Sequence, residues 1–290
     1  MATHDAYARL TPYEMLLPDD GFPDRHFAAI GEEAAERAVD AANPAAFVML
    51  GAVQGALAEL RAEDAAPESA NDHGSVLFFA YHLWRTEGTV VLAQQKTLRA
   101  LLSGKSEPQA TERNAMWKKE LSGRAGYVQL PRHLVWLEEA RNDPQAGRND
   151  SRETRSDPHE SVDGFFWCAD SRGALHLTLV AGMRSDRPGF AVVPVPPLPL
   201  DSLPDWAAGP AREGGSDFAT SLPGAEIDGL LGIRTPAEVF KLAALILGRM
   251  AQERPAASPP PEAACRPPGT REDPPATAGP RPSTLPYATL

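Results

Sequence analysis

Cysteine is nearly missing from this chain. Two cysteines in 290 residues, Cys168 and Cys265, cannot build a disulfide framework. Cys168 sits in an apolar run and reads as a small buried hydrophobe, and Cys265 falls in a proline-rich tail. So few cysteines suit a reducing compartment, and the expected location is cytoplasmic. Metal-ligand spacing is missing too. None of the seven histidines pairs with another at ligand spacing, and neither H-E-x-x-H nor C-x-x-C occurs. No metal site and no cofactor are expected. The nucleophile elbow G-x-S-x-G and the phosphate loops G-x-G-x-x-G and G-x-x-x-x-G-K-[ST] are absent as well.

Long apolar runs are lacking. The stretches 45–57, 76–83 and 239–247 fall short of the about 20 residues a membrane span needs. The first twenty residues carry no basic region followed by an apolar run, so no secretory signal is expected. Positive charge is in deficit: 28 Lys and Arg stand against 39 Asp and Glu, a net −11. Such a surface repels phosphate backbones, which weighs against nucleic acid as a partner.

What the chain has is enough apolar content, 42%, for a sizeable core. It also has 29 prolines, roughly twice the usual share. Eleven of them follow Arg254. Residues 254–290 lack the apolar content to offset chain entropy and are expected to be a disordered tail.

Between these ends, helical and strand periods take turns. Residues 1–23 read as irregular. Asp24 is a candidate N-cap for a helix to about Ala42, with Glu32, Glu33, Glu36 and Arg37 on its wet face. Asn43-Pro44 opens a second helix to about Arg61, apolar nearly all round, with Gly51 and Gly55 on one face for close packing. A third helix is expected from about Asp72 to Arg85. Thr89–Ala93 suits a helix or a short strand, its β-branched residues favouring the strand. Helices at 96–102 and 107–121 follow.

From Gly126 the period becomes two. Strands are expected at 127–130 and 133–138, parted by Pro131, and at 162–168, 174–181 and 190–195. Asp170-Ser171-Arg172-Gly173 is a turn signal. In 174–181 the residues Leu175, Leu177 and Leu179 alternate with His176, Thr178 and Val180, which puts His176 on the wetter face. Pro194 marks a strand end or an edge. The polar stretch 141–161 reads as flexible. Thr235-Pro236-Ala237-Glu238 is a capping box that opens a last helix to about Arg254.

The expected fold is therefore α+β: a helical part at 24–122, an antiparallel meander of about five strands within 126–253, and a closing helix. Three places can carry chemistry. Asp72-His73 offers a general base beside a carboxylate, although helix capping alone accounts for the Asp. The hairpin loop with Arg184, Asp186 and Arg187, together with His176, offers a guanidinium clamp for a small anionic ligand. The basic stretch from Lys96 to Arg132, with Trp117 and Tyr127 interleaved, offers a face for nucleic acid. His82 reads as a core residue, and His159-Glu160 as part of the flexible stretch. The composition favours a non-catalytic interaction protein with a protein partner over either alternative.

Overall fold

The computed structural model describes residues 11–17, 21–39, 43–62, 70–102, 117–131, 134–138, 159–182, 190–208, 219–220, 231–233, 235–253 and 287–289. Its centre is β4, His159–Ala169. Along one side β4 pairs antiparallel with β5, Ala174–Ala181, which pairs antiparallel with β6, Ala191–Pro199. The other side forks. Residues 164–168 pair with β2, Ala125–Gln129, and residues 159–161 pair with β3, Val135–Glu138. Pro131 between β2 and β3 has no amide hydrogen for a ladder, and the register of β4 shifts between Val162 and Gly164 at the same level.

Parallel pairs extend both branches. β1, Thr89–Leu92, lies parallel to β2, and β9, Tyr287–Thr289, lies parallel to β1. On the other branch β8, Leu231–Ile233, lies parallel to β3 and pairs antiparallel with β7, Ala219–Thr220. The five-strand antiparallel meander expected from the sequence is thus a forked, mixed sheet. The reason is topological. Parallel neighbours need a crossover in place of a tight turn, and the chain between β1 and β2 supplies one that includes the helices at Gln95–Leu102 and 117–121. The tail expectation also changes at its end, since 287–289 form a strand; 254–286 lie outside the described residues.

Helices cover both faces. Before the sheet come α1, Pro12–Leu16; α2, Ala28–Glu36; α3, Pro44–Phe47; α4, Gly51–Ala62; and α5, Ala70–Arg85. They share a buried cluster with Val90, Tyr127, Phe166, Cys168, Val180 and Val192. On the opposite face lie α6, Gln95–Leu102; α7, residues 117–121; α8, Leu203–Ala208; and α9, Pro236–Glu253. They pack with Val128, Phe165, Trp167, Leu175, Leu177 and Leu179. The strict alternation along β5 therefore feeds two cores. α5 is the central helix of the first, with every residue from Val76 to Leu83 buried, as befits a helix apolar on all sides.

Several helix ends differ from expectation. Residues 12–16 are helical, not irregular. Thr11 and Glu14 cap that turn reciprocally, and Tyr13 and Leu16 are buried. Asp24 is no N-cap, because a π-helical turn at Pro23–Phe27 runs directly into α2. α2 stops at Glu36, and Ala38 takes the left-handed conformation, φ 49°. The helix expected at 44–61 is two. Asn43 Oδ1 accepts from the Ala45 and Ala46 amides as foreseen, but the helix breaks at 48–50 and restarts at Gly51. The restart is capped from outside: Glu33 Oε1 accepts from Gly51 N–H at 2.9 Å and Oε2 from Ala52 N–H at 2.7 Å. Gly51 and Gly55 are exposed, and among the described residues no other backbone approaches them, which removes the close-packing role expected for them.

Candidate functional site

The first candidate forms around Asp170. The turn from β4 to β5 brings its carboxylate back over the chain. Oδ1 accepts from the amides of Arg172, 2.9 Å, and Ala174, 2.7 Å, and Oδ2 lies 3.2 Å from His176 Nε2. Gly173, at φ 82°, supplies the left-handed residue that the turn signal promised. His176 is buried, 9% exposed, and so is Asp170. This corrects the wetter face expected for His176. Alternation told which residues share its side, but α5 covers that side. Burial pushes the Asp170 carboxyl up, yet the Ala174 amide, the His176 ring and the Arg172 amide together hold it below its ordinary value.

From α5, Phe78 meets this pair. Its ring centroid lies 6.1 Å from that of His176 and 4.6 Å from that of His82. His82 is buried against Phe78 and Tyr81, as a core histidine. The result is an aromatic layer with an anchored carboxylate at one edge. Both carboxylate oxygens of Asp170 are already engaged, and that arrangement holds a turn together.

Of the other expected site residues, only His73 has a described side chain. The loop with Arg184, Asp186 and Arg187 lies outside the described residues. It leaves β5 after Gly182, six residues beyond His176, or about 20 Å of strand. His176 therefore stands near the opposite end of β5 from Gly182. α5 starts at Ala70, so Asp72 sits inside the first turn and not at the cap position; its side chain lies outside the described residues. His73 is buried at 6% exposure. His159 and Glu160 open β4 with their backbones paired to Glu138 and Leu137, so this end of the polar stretch is strand.

The basic stretch also loses its base-stacking groups. Trp117 and Tyr127 are buried, 5% and 0% exposed, as core residues on opposite faces of the sheet. Among its described cations are surface pairs, Lys118 with Asp201 at 3.6 Å and Arg124 with Glu120 at 4.0 Å.

Three features escaped the sequence reading. Glu59 on α4 is gripped by Arg25 Nη2 and His26 Nε2, each at 2.6 Å, and the histidine hydrogen bond followed by the arginine one lowers its pKa. Gln129 Nε2 and Thr178 Oγ1 are buried without a hydrogen-bond partner among the described residues. They lie two strands apart, about 10 Å, so they do not form one site. Third, an apolar hollow of about 150 Å³ opens between β5, β6, β8 and the start of α9, lined by Leu179, Val193, Val195, Ile233, Pro236 and Val239 among others. Thr235 is its one polar lining residue among the described residues, and its hydroxyl is taken by the capping box with Glu238. No signal in the linear order joins β6 to α9, because contact between distant segments creates the hollow.

Among the described residues, no three His, Cys, Asp or Glu side chains gather to hold a metal ion. Among them too, no helix is long and apolar enough to cross a membrane. No family model matches the chain, and neither a curated protein nor a solved structure matches it.

Proposed function

We propose that this chain works through protein contacts, receiving an apolar anchor side chain from a partner in the hollow beside α9. The observation that carries this reading is the chemistry of the hollow's wall. It is apolar, and Val193 on its rim is 38% exposed. Ligand sites for drug-sized molecules usually span about 300–1,000 Å³ and place several polar groups to orient the ligand. An apolar cavity of roughly 150 Å³ takes a benzene-sized group instead. That is the scale of one aromatic side chain, a kind of anchor enriched among the residues that dominate protein interfaces.

The test is co-purification from native lysate of the source cells with the wild-type chain and with Val193→Asp. A partner retained by the wild type and lost by the variant supports the reading. A wild-type chain that emerges as a clean monomer, or a partner retained equally by both, counts against it. Val193 is an exposed edge residue, so the variant is expected to fold, and circular dichroism checks this.

A further inference from the structure

The outermost strand on the β1 branch comes from the far end of the sequence. Tyr287 lies opposite Val90, Ala288 opposite Val91 and Thr289 opposite Leu92, all parallel. On its other side β1 pairs with β2. Residues 287–289 thus cover the outer side of β1, where no other strand pairs among the described residues. Thirty-three residues, 254–286, separate them from the end of α9, and eleven of these are proline. Pro286, immediately before Tyr287, has no amide hydrogen to donate to a ladder.

The edge under β9 has the character of an acceptor. β1 reads Thr-Val-Val-Leu, without proline or charge, and Val90 and Val91 are buried. Uncharged, proline-free edges recruit further strands. The sheet's β6 edge is built the opposite way. Pro194, Pro196, Pro197 and Pro199 interrupt it, and each lacks an amide hydrogen. Of the forked sheet's ends, the β6 edge is blocked by composition and the outer side of β1 is covered by residues 287–289.

Three residues make a short strand. A tether turns its binding into an intramolecular event, with an effective concentration that is roughly millimolar for short tethers and falls as the tether lengthens. A three-residue strand that follows α9 only after 33 further residues of sequence is open to competition. We propose that the β1 edge is a strand-acceptor site, that the chain's own segment 287–289 is its resident ligand, and that an extended, uncharged segment of a partner protein replaces β9 by parallel addition to β1. This rests on the protein-contact reading and adds to it a second surface and the kind of segment that surface takes.

The experiment uses a labelled peptide of residues 283–290 and fluorescence anisotropy, with the full chain and a chain ending at Pro282. The shortened chain is expected to bind the peptide saturably, and the full chain about tenfold more weakly, because the tethered copy competes. Ala288→Pro in the full chain is expected to bring peptide binding back toward that of the shortened chain. The same change in the peptide is expected to abolish its binding. A folded shortened chain that ignores the peptide overturns the proposal, as does equal affinity for both chains. Loss of cooperative melting on truncation overturns it too, since β9 is then an integral strand. Partner capture that depends on Val193 is read separately, so either proposal can fail alone.

Discussion

The Glu33 carboxylate on α2 lies 2.7 Å from the amide nitrogen of Ala52, inside the first turn of α4. The first amides of a helix have no partner within it, and negative charge is favoured there. Glu33 serves two of them, and Arg37 Nη2 holds its Oε1 from the other side at 2.8 Å. The Ala52 and Gly51 amides lower its pKa below the ordinary 4.5. A carboxyl with a lowered folded pKa stabilises the fold above its unfolded value, and that stability is lost as pH falls through the folded one. Glu33→Gln keeps one acceptor and puts a donor against the second amide. The variant is expected to melt at a lower temperature than the wild type at pH 7, with the gap narrowing as the pH falls below about 4.5. A constant gap across that range would show that the carboxylate's charge is not what matters. Melting curves at several pH values decide this.

Asp170→Ala removes the acceptor for the Arg172 and Ala174 amides and the partner of His176. Leaving such groups unpaired costs about 1–3 kcal/mol. Asp170→Asn keeps Oδ1 as an amide acceptor and is expected to cost less. Urea denaturation of both variants gives the comparison, and equal losses would mean that the His176 contact carries the effect.

Phe78 touches Phe47, Phe79, His82 and His176 and is fully buried. Truncation to Ala leaves a cavity between α5 and the sheet. The expected loss is about 3–5 kcal/mol by chemical denaturation. A loss below about 1 kcal/mol would mean that the aromatic layer collapses without cost, against close packing of this core.

Gly248 on α9 faces Trp117. A Cβ there would run into the six-membered ring of the indole and lie 3.0 Å from its Cε2. Helix propensity favours Ala over Gly by about 1 kcal/mol. Overpacking against a rigid ring costs about 1–3 kcal/mol, so Gly248→Ala is expected to destabilise despite the better helix former. Trp117→Leu makes room and is expected to reverse the sign of the Gly248→Ala effect. A double-mutant cycle measures this coupling; simple additivity would sink the contact argument.

The legible parts of this fold are those specified within one short window. Thr235-Pro236-Ala237-Glu238 announces α9 because its capping groups lie three residues apart, and Thr235 N–H donates to Glu238 Oε2 at 2.9 Å as that spacing requires. Asp170 to Gly173 announces the β4–β5 turn for the same reason. The alternation along β5 correctly sorted Leu175, Leu177 and Leu179 from His176 and Thr178. The Glu33 cap of α4 was hidden, since its partners are 18 and 19 residues away and nothing about a glutamate on a helix names its acceptor role. The candidate site was less legible than the fold. The sequence singles out His176, but no signal in it pairs His176 with Asp170 or points to the hollow beside α9.

Local order determined the β4–β5 turn, the alternation along β5 and the start of α9, because capping, turn and periodicity signals act over a few residues. Which side of the sheet meets water, which strands run parallel and which distant residues touch were decided by the tertiary structure. Helices cover both faces, so alternation cannot tell inside from outside. Direction within the sheet depends on the route of the crossovers, which a strand's own residues do not encode.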